Sequence, residues 1–483
     1  MIVSSAIYVL LIVWILFLQE AQCFRALSVL RRPSQSRCTL LGAKATLSSR
    51  TGDIKAIARE DFPILDQLVH TDKKLVYLDS AASSQKPNFV LDKMNEYYKT
   101  THSNVHRGAH ALAVHATDLF EASRSQVQQF INAEYREEIV FTKGATDAIN
   151  LVAMSWGQRL RPGDEIILTV MEHHANLVPW QMLAQHTGAV LKFVQLTPSM
   201  EFDMDHFHSL LSPRTKMVAF AHVSNVLGCV NPAREITAAA HRVGAVVLLD
   251  ACQSVPHMPV DVQALGADFV VASAHKMCGP TGIGFLYGKK ALLESMPPVS
   301  GGGEMIDIVE LTHSTYALPP CRFEAGTPPI AEAIGLGAAC EYLSMIGMQR
   351  IHEHETQLGA YLYSQLAAIN SLDLYGPPPT TTSSINPTTT SHKTDSTTTS
   401  IHSPRAGLVA FNSKTIHAAD LAFFLDQEGI AVRTGHHCAQ PLHRALKIPG
   451  SIRASLYFYN SQQDVDVFAE KLKETIEMFE RIS

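Results

Sequence analysis

No block of Lys or Arg interrupts this 483-residue chain, and its formal net charge is only −6. Nucleic-acid binding needs a basic face to neutralise phosphates, so nucleic acid is not an expected partner. The eight cysteines show no Cys-x-x-Cys spacing and no paired framework. That composition excludes a disulfide scaffold and leaves reduced, mostly buried thiols, with one or two reactive. With 46% hydrophobic residues, the chain can bury the cores of two domains and still carry extra segments.

Acidic residues are also missing from Phe24 to Gly52, where Arg, Ser, Thr and Leu dominate. That is the composition of a transit peptide. Ahead of it, Ile2 to Leu18 is almost wholly apolar, without a basic start but with small residues near Ala21. This resembles a signal-peptide core, and its length also permits a membrane anchor. Residues 1–53 are therefore read as a bipartite leader addressed to a plastid of secondary origin. The alternatives are a mitochondrial leader or a misassigned start codon. No membrane contact is expected of the mature form.

From residue 54 onward the pattern is that of a folded protein. Ile54 to His70 is expected to form a short helical entry, and Leu75–Leu78 a strand. Helical stretches over Thr117–Ile131 and Ala145–Trp156 then alternate with apolar strands. Those strands are 138–141, 165–168, 190–194, 216–220, 245–249 and 268–272. Near-continuous apolar strands between helices imply a mainly parallel sheet covered on both faces, an α/β fold with ligands at the C-terminal strand ends. A long helix is expected from Glu341 to Ala368. The strand pair Leu372–Tyr375 and Gly407–Phe411 brackets a run rich in Thr, Ser and Pro at about 377–404. That run cannot bury enough apolar surface to order itself, so it reads as a disordered hairpin insertion in a smaller α+β domain. The organisation expected is a segment 54–79 packing with the small domain, a large domain over 80–340 and the small domain over 341–483.

Chemistry concentrates at strand ends. Lys276 closes the strand Asp268–Ala272 within the string SAHK and precedes the glycine-rich Gly279–Gly284. A desolvated lysine there can attack an aldehyde and hold pyridoxal phosphate (PLP) as a Schiff base; a surface lysine is the alternative. Asp250 ends another strand, with Gln253 three residues on. It suits a protonated pyridine nitrogen, a metal or a helix cap. Gly144-Ala145-Thr146 opens a helix after a strand, where free N–H groups cradle phosphate or accept an ordinary cap. His173 and His174 offer a ring to stack on a flat cofactor or a metal ligand pair, with no third ligand at metal spacing nearby. Cys438 sits between Gly435 and Pro441 beside His436 and His437, which can lower its pKa or hold a proton. A buried structural thiol and a zinc site with His443 compete with that reading. Arg453, in a half-apolar strand, requires an anion: a substrate carboxylate or an internal Asp or Glu.

The strings MEHHAN, SNVLG, SAHKMCGPTGIG, RFEAGTP, RTGHHCAQPLH and RASLYFYN occur in this order. They resemble the SufS-type PLP-dependent cysteine desulfurases of the class V aminotransferase group, from about Ile54 to the C-terminus. The resemblance excludes the leader and the insertion, and the insertion is unusual for the group. It implies the aspartate-aminotransferase-like fold type I, a seven-stranded sheet and a homodimer. It further implies that Lys276 carries PLP, that His173 stacks on the ring and moves protons, and that Asp250 pairs with the ring nitrogen. Asn225 and Gln253 are implied to contact the ring oxygen or substrate, and Ala145, Thr146, Ser273 and His275 to hold the phosphate. Thr327 is implied to reach the phosphate of the other subunit. Arg453, assisted by Arg433, His106 and Arg107, is implied to grip the cysteine carboxylate, and Cys438 to accept sulfur. No metal is implied. The implied partners are L-cysteine, a SufE-type acceptor and a SUF scaffold that builds iron–sulfur clusters. A selenocysteine lyase accepting L-selenocysteine is the nearest alternative, and a non-catalytic scaffold a more distant one.

Overall fold

The computed structural model of the protein describes residues 59–379 and 405–482. The expected leader and nearly all of the Thr/Ser-rich insertion lie outside the described residues. A seven-stranded sheet forms the centre: β1 (Ile139–Thr142), β2 (Glu165–Thr169), β3 (Val190–Val194), β4 (Thr215–Ala221), β5 (Val246–Asp250), β6 (Phe269–Ser273) and β7 (Gly284–Gly288). Their order across the sheet is β1-β7-β6-β5-β4-β2-β3. β7 runs antiparallel to both of its neighbours, and the other pairings are parallel. Six strands therefore end at one edge of the sheet, and the loops leaving that edge can converge on a ligand.

Burial explains why these strands read as continuous apolar runs. Along β5, Val247 and Leu249 enter one core with Phe120, Ile236 and Tyr342, while Leu248 enters the opposite core with Ile149, Trp156 and Trp180. Side chains alternate between faces, so a strand covered on both sides must be apolar at every position. Strand β7 is not evident from apolar patterning, because it begins and ends in glycine. Glycine is required at its start. A Cβ on Gly284 would lie 2.7 Å from the Gly144 Cα and run into the Ala272 carbonyl.

Two expected helices differ. Ile54–His70 was expected to be helical, but its described part holds only a 3₁₀ turn, Pro63–Asp66, and a two-residue strand, Leu68–Val69. Phe62 and Leu65 bury themselves on one turn, while Ile64 and Leu68 face solvent, so no longer helix is needed to satisfy the apolar residues. The expected single helix over 341–368 is two helices, Ile330–Ile346 and Met348–Ala367, bent by 74°. Gly347 makes the break at φ 96°, a conformation that side chains with a Cβ resist. The first helix packs on Asn88–Thr100 and Ala111–Phe130 of the large sheet's cover.

Beyond Gly347, β8 (Leu372–Tyr375), β9 (Leu408–Ser413), β10 (Arg433–Gly435) and β11 (Ser451–Ser455) form an antiparallel sheet in the order β8-β9-β11-β10. Its core includes Leu362, Phe411, Ile452 and Phe468, joined by Val76 and Leu78 from the entry segment. Val76–Tyr77 also pairs with Ile430–Ala431. The insertion leaves β8 and returns to β9, which are direct neighbours in register from Leu372 with Ser413 to Tyr375 with Ala410.

Candidate active site

The sheet edge and the small antiparallel sheet enclose one cleft, whose empty space, open mouth included, is about 740 Å³. Strand β6 delivers Ser273 and, through the 3₁₀ turn Ala274–Lys276, the lysine that lines the cleft. β5 delivers Asp250, which is 7% exposed. One of its carboxylate oxygens accepts the Cys252 N–H at 3.0 Å. β1 leads into Gly144, at φ 149° and ψ 177°, and then into the helix Ala145–Ser155. There the Ala145 N–H donates to Ser273 Oγ at 2.9 Å, which ties the helix start to the end of β6. Thr146 follows at the exposed rim of the same helix end.

His173 leaves β2 and caps the short turn after it. Its Nδ1 accepts the Ala175 N–H at 3.0 Å, so the neutral ring carries its hydrogen on Nε2. Burial, reinforced by the Lys276 charge, pulls the His173 pKa down to about 4. The ring is therefore uncharged at neutral pH. Burial together with Lys276 and Lys86 does the same to His275, also to about 4. Beneath His173, the buried Glu172 accepts from Asn176 Nδ2 at 2.7 Å and from the Ala221 N–H at 3.2 Å. Burial pushes its pKa up to about 8.

The other wall comes from the small sheet. Arg453 on β11 is 1% exposed and lies directly across from Arg433 on β10. Like charges facing across strands repel. Arg453 Nη2 donates to Asp79 Oδ1 at 3.0 Å and Nη1 to the Asn225 carbonyl at 3.0 Å. Its Nε is buried without a partner. Both readings of this arginine thus hold in part: an internal aspartate takes one edge, and one donor remains for an anion.

Cys438 follows β10 on a loop where His437 and Cys438 both adopt positive φ, 49° and 58°. Two successive non-glycine residues in this region are strained and must be held by their surroundings. The holds are visible. The Cys438 carbonyl accepts the His174 N–H at 2.7 Å, the His437 carbonyl accepts Asn225 Nδ2 at 2.8 Å, and His174 Nε2 accepts the Gln440 N–H at 3.0 Å. The expected help from neighbouring histidines is corrected. His437 Nε2 turns to Ser451 at 3.1 Å, and burial beside Arg453 pulls its pKa down to about 2, so it supplies no positive charge to the thiol. His443 also turns to Ser451, at 3.0 Å, and His436 is exposed. Among the described residues no group of three or more His, Cys, Asp or Glu is placed to hold a metal.

The class V aminotransferase model matches residues 76–400 and 390–468. A probable cysteine desulfurase from Synechocystis is 55% identical over 427 residues, covering 88% of this chain and 96% of its own. One from Halalkalibacterium halodurans is 49% identical, over 86% of this chain and 97% of its own. The chain belongs to the cysteine desulfurases of the class V aminotransferase family. Two solved structures agree: a cysteine desulfurase from Escherichia coli in its S-sulfonic acid form and an apo cysteine desulfurase from Thermococcus onnurineus. Each is 37% identical and covers 88% of this chain, with 98% and 99% of its own length covered; the TM-scores are 0.77 and 0.79.

Members of this family depend on PLP, and this cleft fits that group. Gly144 and Gly284 meet where any Cβ would fill the space before the helix, which leaves a cradle of N–H groups. A buried carboxylate at Asp250 and a neutral flat ring at His173 stand beside Lys276 in the same cleft. Of the residues expected from sequence, the cleft brings together Ala145, Thr146, His173, Asn225, Asp250, Gln253, Ser273, His275, Lys276, Arg433, Cys438 and Arg453. Three are not brought in. His106 bonds Glu121 at 3.2 Å, Arg107 pairs with Glu304 at 2.9 Å, and Thr327 is exposed; none lines this chain's own cleft. Their expected part in binding is corrected for a single chain. Sequence reasoning missed Ala81, Ala82 and Cys252 as lining residues and Asp79 as the partner of Arg453. The small pair after the strand at Asp79 was the available signal, since alanines let backbone approach a ligand.

Proposed function

We propose that this protein is a SufS-type cysteine desulfurase that supplies sulfur for iron–sulfur cluster assembly. The observation that carries the reading is the sharing of one cleft by Lys276 and Cys438, with Arg453 and Arg433 on the same wall. Bound at Lys276, PLP supplies a sink for the electron pair left when the substrate Cα–H bond breaks. Arg453 and Arg433 bind the α-carboxylate of L-cysteine, and the unpartnered Arg453 Nε offers a donor already desolvated for it. Lys276 Nζ takes the Cα proton and returns it. His173 lies flat against the cofactor and stays neutral, so it can accept a proton without first losing one. Asp250 holds a proton on the ring nitrogen. Cys438 Sγ, as thiolate, bonds to the substrate sulfur as the substrate Cβ–S bond breaks, and a proton takes the sulfur's place on Cβ. L-cysteine and the Cys438 thiol thus become L-alanine and the Cys438 persulfide.

The loop position of Cys438 supports onward transfer to a SufE-type acceptor protein. A thiol at a cleft mouth can meet a second protein, whereas a core thiol cannot. The exposed Thr327 supports a homodimer in which each chain completes its partner's site. The composition of residues 1–53 supports delivery to a plastid. A fluorescent reporter fused to them should accumulate there, and a cytosolic reporter would refute the address.

The central test uses Cys438→Ala. The variant should keep the yellow colour of bound PLP and its bleaching by borohydride, lose alanine formation by about 100-fold or more, and show no persulfide by mass spectrometry. Undiminished cysteine turnover would overturn the mechanism.

A further inference from the structure

Arg405 is a buried cation, 7% exposed, far along the chain from the residues of the cleft. Its guanidinium is met by carbonyls: Nη1 donates to Pro377, and Nη2 to Leu408 at 3.0 Å and to Tyr375 at 3.4 Å. The Tyr363 ring lies 5.1 Å beneath it, and its Nε is buried without a partner. Burying a guanidinium on neutral acceptors is costly, and burial pulls its pKa down to about 10. A residue that only closed a hairpin would not need it.

The clamp reaches further than the hairpin. Next to Arg405, the Ala406 N–H donates to the Gly228 carbonyl at 2.8 Å, and Cys229 forms a β-bridge with Arg405 itself. Gly228 has φ 71°, and a Cβ there would press on the Leu408 carbonyl at 3.2 Å and on Arg405 Cγ at 3.5 Å. The same turn closes on itself from the Gly228 N–H to the Ser224 carbonyl at 3.1 Å. Between them stands Asn225. Its side chain holds the His437 carbonyl, and its own carbonyl holds Arg453 Nη1. One hydrogen-bonded path therefore runs from Arg405 through the 224–229 turn to the strained Cys438 loop and to Arg453.

We infer that Arg405 is a positioning residue: it fixes the 224–229 turn so that Asn225 sets both the Cys438 loop and the carboxylate-binding arginine. The inference rests on the cysteine desulfurase reading. The holoenzyme is therefore first assayed for alanine formation; an inactive native enzyme would count against that reading, whereas an active one leaves Arg405 to be judged by its own variants. Arg405→Met keeps the bulk and removes the donors. It should raise the KM for L-cysteine about tenfold while the visible spectrum of bound PLP stays unchanged, and it should speed iodoacetamide alkylation of Cys438, read by mass spectrometry without substrate, several-fold. In an Asn225→Ala background the same change should add nothing, because the path is already cut. Deleting residues 380–404 while keeping Pro377 and Arg405 should leave KM within twofold of native. If Arg405→Met does not fold, Arg405→Lys, with the charge but a single donor group, should raise KM about threefold. Unchanged KM and alkylation in a folded Arg405 variant, or full additivity with Asn225→Ala, would overturn the inference.

Discussion

His222 shows what a single residue can hold in reserve. It follows β4, is 5% exposed, and has its Nδ1 buried without a partner. Burial alone pulls its pKa down to about 4, below the roughly 6.5 expected in an unfolded chain. Between those values the unfolded chain binds the proton and the fold does not. The stability that His222 contributes is thus fully present above about pH 6.5 and is lost as pH falls toward 4. The urea midpoint of the native protein should fall more steeply from pH 7 to pH 4.5 than that of His222→Gln, with matching slopes above pH 7. Parallel profiles over the whole range would rule this out. Nothing in the string AHVSN announces such a group, because burial on all sides is decided by elements far away in the chain.

At the scale of elements, much was legible and the misses share a cause. Strands β1 to β6 are evident because both of their faces are covered, which forces an apolar residue at each step. Lys276, Asp250, His173 and Asn225 are evident because they stand just past such strands, where the fold gathers ligands. β7 is hidden by its glycines, which are there because the Gly144 turn leaves no room for a Cβ. The break at Gly347 is hidden for the opposite reason: one glycine inside a long helical pattern reads as tolerable until its φ is known. Arg453 was legible as a residue in need of an anion. Its division between Asp79 and an open Nε was not, since Asp79 is 374 positions away and only the bridge between Asp79 and Ser455 brings them together.

For the whole molecule, the ion pairs around Arg124 set what one chain can and cannot do alone. Arg124 is 1% exposed and grips Glu324 with two bonds, at 2.7 and 2.9 Å, while the Phe141 N–H adds a third to the same carboxylate at 2.7 Å. Breaking such a buried pair from one side costs about 3–5 kcal/mol. It anchors the RFEAGTP segment firmly, yet leaves Thr327 outside this chain's own cleft. If the site is completed between subunits, a heterodimer of Lys276→Ala and Thr327→Val chains contains one site with both residues intact. It should bind one PLP per dimer with native affinity. Equal weakening in the heterodimer and in the Thr327→Val homodimer would place Thr327 outside the site.

The hairpin root between β8 and β9 has a practical consequence. Its two ends are fixed in register and clamped by Arg405, so the length of chain carried between them is decoupled from the sheet. Loop closure costs only about 0.6 kcal/mol for each doubling of length. Residues 380–404 mark a port where a fluorophore tag, a protease site or a whole guest domain can be spliced in, with the catalytic loops reporting on whether the cargo strains its socket.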